Sequence, residues 1–184
     1  DSRRPVPAGN AESGRPTPGP PVVPNTGSDA SRAARASNLR MLADGGSGGA
    51  QYVDARIPYE GTTVSYFSIQ TRAGSPPSLH LHLRFSGENG YLRGQSAVLS
   101  SEDREVRLDA SNSTTMRHSG TVEELVARVT PTLFATIRHA IRAGGRVRVE
   151  GLQGTIAWEL SAIERAAMTN TLYAFQDLGG TIPE

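Results

Sequence analysis

Residues 78–85, Ser-Leu-His-Leu-His-Leu-Arg-Phe, alternate strictly between polar and apolar side chains. A period of two belongs to a β-strand. It sets Leu79, Leu81, Leu83 and Phe85 on one face and His80, His82 and Arg84 on the other. A one-residue slip would turn all four apolar side chains toward water, so the register of such a strand is firmly specified. The strand needs a second layer over its apolar face and neighbours with the same alternation.

The sequence supplies those neighbours. Residues 52–57 (YVDARI) read as a strand. Residues 62–72 alternate Val64, Tyr66 or Phe67, and Ile69. Strands follow at 91–100 and 105–110. Turns separate them at Gly74-Ser75-Pro76-Pro77, at Gly87-Glu88-Asn89-Gly90 and at Glu102-Asp103-Arg104. Short strands with turn signals about every ten residues suit a sandwich or a barrel.

The C-terminal third changes period. Thr121-Val122-Glu123-Glu124 has the form of a capping box ahead of Leu125 and Val126, which predicts a helix there. Pro131 restarts a helix whose apolar face is Leu133, Phe134, Ile137, Ala140 and Ile141, and Gly144-Gly145 ends it. Residues 146–152 form a strand with Val147, Val149 and Leu152 inward. Residues 155–160 are its hairpin partner, with Ile156, Trp158 and Leu160 on one face. Ser161 and Glu164 cap a last helix over 162–178. Its apolar side is Ile163, Ala167, Ala174 and Leu178, and Gly179-Gly180 stops it. The expected fold is α+β and mainly β: a small antiparallel β-sandwich at 51–184, with two or three helices in its C-terminal half.

An extended N-terminal arm precedes that domain. Seven of the twelve prolines fall within the first thirty residues, and the whole chain is only 36% hydrophobic and 5% aromatic. Such a segment buries too little apolar surface to offset the entropy of ordering it, so residues 1–50 read as a flexible arm or one ordered by a partner. A short helix at 31–43 and a Gly-rich hinge at 44–50 complete it. Val22 and Val23 between prolines, with Arg35, Leu39 and Leu42, are the side chains such an arm would offer to a protein partner.

The chemistry carried by the sequence is sparse. It has no cysteine, so thiol catalysis, cysteine metal sites and disulfides are excluded. The net charge of +1 does not suggest a nucleic-acid binder. No apolar run of transmembrane length occurs; an N-terminal Asp is what removal of a signal peptide would leave, and cleavage from a polyprotein would leave the same. His80 and His82 share a strand face, the spacing of a metal-ligand pair, with Asp109 or Glu159 as third ligand. A solvated face is the simpler reading. Ser111, His118 and Asp109 form no recognisable nucleophile motif. Arg138, Arg142, Arg146 and Arg148, with His139, make the densest basic patch. No catalytic residue and no cofactor is expected.

The order of a helix ending Ala-Gly-Gly, a strand at 146–150, a hairpin whose second strand ends Trp-Glu-Leu-Ser, and a terminal helix resembles the invasion-associated locus B-like proteins of proteobacterial envelopes. The resemblance spans roughly residues 78–178. It implies a periplasmic β-sandwich that acts as a non-enzymatic interaction module. The expected role is thus a binding or scaffolding subunit of an envelope assembly, docking through its arm and strand edges. The alternative is a structural subunit of a capsid or filament, interlocked by the arm.

Overall fold

The computed structural model describes residues 35–42, 49–58, 63–86, 92–108, 110–117 and 120–182, with 110–117 and 120–121 described by backbone alone. Among these residues, ten strands make two antiparallel sheets. The larger contains β1 (Leu39–Leu42), β2 (Gly49–Asp54), β3 (Val64–Arg72), β4 (Ser75–Phe85), β7 (Ala110–Arg117) and β8 (Gly120–Arg128), in the order β1-β2-β3-β4-β8-β7. The smaller contains β5 (Gly94–Ser101), β6 (Arg104–Leu108), β9 (Arg146–Gly151) and β10 (Gly154–Glu159), in the order β10-β9-β5-β6. Two helices lie in the C-terminal half, α1 (Pro131–Ala143) and α2 (Ala162–Asp177). The mainly antiparallel, sandwich-like class expected from the alternation is the class observed.

The two sheets share one core. The larger sheet contributes Phe67, Ile69, Leu79, Leu81, Leu83, Phe85 and Leu125, all buried on its inner face. From the smaller sheet come Ala97, Leu99, Leu108, Val147 and Val149. Leu133, Ile137 and Ala140 of α1 and Met168, Ala174 and Phe175 of α2 close the remaining sides. The strand at β4 behaves as its period requires: Ile69 opposes Leu79, Phe67 opposes Leu81 and Ser65 opposes Leu83 on the inner face.

Both helices begin as the sequence predicts. Thr130 accepts from the Leu133 N–H ahead of Pro131, and Gly144 ends α1 at φ 100°. At α2, Ser161 and Glu164 form a reciprocal capping box. Glu164 also leaves the helix: while one carboxylate oxygen accepts from Ser161 N–H at 2.7 Å, the other accepts from Ser65 N–H of β3 at 2.7 Å. The pairing of β2 with β3 stops at Ser68, so Ser65 turns to this carboxylate for an acceptor. The Ser65 hydroxyl in turn accepts from the Trp158 indole N–H at 2.9 Å. Helix, sheet and hairpin thus meet at one serine.

A second buried acid fixes the start of β5. Glu123 of β8, fully buried, accepts from the backbone N–H groups of Leu92 at 2.5 Å, Arg93 at 3.1 Å and Gly94 at 2.9 Å. Arg93 sits at φ 54°, in the left-handed region that a side chain makes unfavourable. On its other side this segment meets the β9–β10 turn, where a Cβ on Gly151 would lie 2.4 Å from the Leu92 carbonyl oxygen. Only glycine allows that approach.

Several expectations need correction. Residues 120–128 are strand β8 and not a helix. The apparent capping-box glutamates point to opposite faces and bind groups distant in sequence. Residues 110–117 run antiparallel to β8 as β7; His118 and Asp109 lie outside the described residues. Of the helix expected at 31–43, residues 35–37 are helical, while 39–42 form β1, paired with β2 from Leu39↔Asp54 to Leu42↔Gln51. Gly49 and Ala50, assigned to the hinge, belong to β2. On α2 the buried stripe is Glu164, Ala167, Met168, Thr171, Ala174 and Phe175, whereas Ile163 and Leu178 are exposed. Leu152, expected inward, is an exposed turn residue.

A candidate functional site on the outer face of the large sheet

The outer face of the larger sheet is built from rows of side chains that the register places side by side. Gln51, Gln70 and Ser78 form one row across β2, β3 and β4. Val53, Ser68, His80 and Arg128 form the next, reaching β8. Tyr66, His82 and Val126 form a third, and Val64, Arg84 and Glu124 a fourth.

Part of the two middle rows is closed off from solvent. His82 is 4% exposed and Ser68 0%. The Ser68 hydroxyl lies 2.7 Å from His82 Nε2, and His82 Nδ1 lies 3.2 Å from Glu124 Oε1. The Tyr66 hydroxyl donates to the same Glu124 oxygen at 2.5 Å, and its ring stacks on the imidazole at 4.7 Å with an interplanar angle of 11°. Gln51 Nε2 approaches His82 Nε2 at 3.4 Å, and the Arg84 guanidinium lies 5.6 Å over the Tyr66 ring. Below this cluster Val53, Ile57, Val64, Tyr66 and Ala167 pack as a small second core, with Leu42 against it.

Electrostatics follow from this packing. Burial works against the Glu124 charge, yet hydrogen bonding and charge from His82, with help from Tyr66 and Arg84, hold its carboxyl below the usual range. Burial, with Glu124 adding to it, pushes the Tyr66 phenol well above its ordinary value. Burial, then the charges of His82 and Arg128, lowers His80. Glu124 therefore contributes stability that is present above the unfolded carboxyl pKa and is lost as pH falls through its depressed folded pKa. Glu124→Gln is expected to cost about 1.5–3 kcal/mol at neutral pH, the scale of hydrogen bonds to a charged group. That gap to the unsubstituted protein should close as the medium is acidified below about pH 4. Urea unfolding across a pH series measures it; a gap independent of pH would contradict the assignment.

Serine, imidazole and carboxylate stand here in the order of a nucleophile, its base and the base's orienting acid. The serine is on a regular strand, however, and is closed off, so in this arrangement its hydroxyl serves the imidazole. The chemistry open to a ligand lies one row away. A groove of about 680 Å³ runs over the ends of β2, β3, β4 and β8, lined by residues that include Gln51, Gln70, Arg72, Ser78, His80 and Arg128.

The residues singled out from sequence fall in different places. His80 lines this groove, its Nε2 3.0 Å from the Ser78 hydroxyl, while His82 belongs to the buried cluster, so they do not act as a ligand pair. Glu159, considered as a third ligand, is on the smaller sheet. Among the described residues no group of three His, Asp or Glu side chains is arranged to hold a metal ion. The basic patch divides. Arg146 and Arg148 on β9 face Glu159 at 3.9 Å and Glu150 at 3.4 Å. Arg138 and Arg142 line a groove between α1 and α2 beside Phe134, Leu172 and Tyr173. His139 contacts Glu102 at 3.4 Å and Ser101 at 2.9 Å.

Of the residues expected to face a partner, Arg35, Leu39 and Leu42 are partly buried. Arg35 pairs with Asp177 of α2 at 2.8 Å, Leu39 packs on the main core and Leu42 on the smaller one. Once 39–42 pair with β2, Leu39 and Leu42, three residues apart, fall on opposite faces of the sheet and reach its two separate apolar clusters. Val22 and Val23 lie outside the described residues. No helix among the described residues is long and apolar enough to cross a membrane.

Comparison with family models, with curated proteins and with solved structures gives no match to this chain.

Proposed function

We propose that the chain is a non-enzymatic binding or scaffolding subunit of a bacterial cell-envelope assembly in the periplasm, and that it docks through residues 1–34 and the adjoining sheet edge. The observation that carries this reading is where the N-terminal segment joins the fold. The chain enters the larger sheet as its four-residue edge strand β1, immediately after an ion pair between Arg35 and Asp177. A partner that takes the preceding Pro-rich residues is therefore held beside an edge strand, where backbone groups can extend the ladder. Tethering of this kind raises the local concentration of the edge for its partner without enlarging the fold.

Limited proteolysis tests it. The full chain is digested alone and in envelope extracts of the cell that makes it, and cleavage within residues 1–34 is followed by mass spectrometry. Protection only in the extract is the expected result, and equal cleavage in both would remove the docking role. Sedimentation at high protein concentration adds a second arm: self-assembly into closed or open particles would replace this reading with that of a capsid or filament subunit.

A further inference from the structure

The groove at the end of the large sheet has a consistent chemistry. Its lining among the described residues contains two arginines, a histidine, two glutamines and several hydroxyls, and no carboxylate. Neither Arg72 nor Arg128 makes a salt bridge among the described residues, unlike Arg35, Arg56, Arg146 and Arg148. Both guanidinium-bearing residues are exposed, as are Arg104, Arg107, Arg138 and Arg142, which likewise make no salt bridge among the described residues. His80 and Arg128 are direct cross-strand partners, so both project from one row of the sheet.

The neutral groups suit hydroxyls. Gln51 and Gln70 oppose each other across β2 and β3, and each amide offers two donors and an acceptor. Ser78 adjoins Gln70 on β4. Pro76 and Pro77 supply flat apolar surface along the same wall. At about 680 Å³ the groove lies in the usual range of small-molecule sites.

We infer that this groove binds a phosphorylated saccharide, its phosphate between Arg128, Arg72 and His80 and its hydroxyls on Gln51, Gln70 and Ser78. A guanidinium recognises phosphate oxygens in a forked, bidentate manner, and a neighbouring imidazole adds a further donor. The sugar's C–H face would lie against Pro76 and Pro77. This inference does not depend on the docking reading: it concerns a different part of the surface, and either can fail alone.

The His80 ring provides the readout. Its NMR resonances are followed in the full chain during titration with glucose 6-phosphate, glucose and inorganic phosphate. The expected result is a saturable His80 shift with glucose 6-phosphate, at least tenfold weaker binding of glucose or phosphate alone, and a rise in the His80 pKa in the complex. Arg128→Ala should weaken binding at least tenfold while leaving the urea midpoint within error, because Arg128 is exposed. Arg138→Ala, on α1, should bind as the unsubstituted chain does. No saturable His80 response, an equal response in R128A, or equal affinity for inorganic phosphate would each overturn the proposal.

Discussion

Replacing Glu123 by alanine is expected to lower the unfolding free energy by about 3–5 kcal/mol, a large fraction of the roughly 5–15 kcal/mol typical of a domain. The carboxylate is fully buried and supplies an acceptor to three consecutive backbone N–H groups, at Leu92, Arg93 and Gly94. Hydrogen bonds to a charged acceptor contribute about 1.5–3 kcal/mol each, and a buried donor that loses its acceptor costs a further desolvation penalty. The same bonds hold Arg93 at its positive φ, a conformation that costs about 1–3 kcal/mol wherever it is not imposed by its surroundings. Glu123→Gln separates these effects. One oxygen serves Leu92 and Arg93 and the other serves Gly94, so the amide keeps one acceptor and should lose about half as much. Equilibrium urea unfolding gives both values. A Glu123→Ala variant within about 1 kcal/mol of the unsubstituted protein would show that the 92–94 segment is held by other contacts.

The second large effect is expected at Glu164→Ala, about 2–4 kcal/mol. Two separate interactions end with that side chain: half of the capping box at Ser161 and the acceptor for Ser65 in β3. Loss of a helix N-cap interaction alone costs about 0.5–2 kcal/mol. The buried Ser65 N–H adds a lost charge-assisted bond. Ser161→Ala removes only the helix side and should cost about 1 kcal/mol. A double-mutant cycle between Glu164→Ala and Ser161→Ala should therefore leave most of the Glu164 effect in place. Trp158 fluorescence reports the other half, since its indole donates to the Ser65 hydroxyl. An unfolding loss for Glu164→Ala no larger than that for Ser161→Ala would mean the link to β3 carries no energy.

The inner face of the fold was legible from sequence because burial leaves a local signature. Leu79, Leu81, Leu83 and Phe85 show the period of β4 without reference to anything else, and Leu133, Phe134, Ile137 and Ala140 do the same for α1. The misreadings share a cause. Thr121-Val122-Glu123-Glu124 satisfies a local capping pattern, but its glutamates serve Leu92 on one face and His82 on the other, partners about thirty to forty residues away. Local propensity lost to long-range hydrogen bonding. Residues 39–42 were read as a helix for a similar reason, since only the edge of β2 makes them a strand.

The outer-face cluster was the least legible. The sequence put His80 and His82 on one face and suggested that water covers it. Which residues stand beside them depends on strand order and register, and neither is written in any one segment. Ser68 and Tyr66 could have been flagged by the alternation of β3. Glu124 could not, because it was assigned to the wrong element. The separation of a buried His82 from a groove-lining His80 arises because the cover over the sheet changes along one strand.

Strand β8 carries a further consequence for how this chain can change. Glu123 opposes Phe85 and Glu124 opposes Arg84, one toward the core and one away from it. A slip by one residue would exchange them, setting one acid among apolar side chains with nothing to bind and withdrawing the other from the backbone it supports. Most positions on the strand can accept a different side chain of similar size. None can accept a change in length. A single-residue insertion or deletion within 122–126 is expected to abolish folding, so divergence along this strand is confined to substitution, and changes of length must fall in the connections on either side.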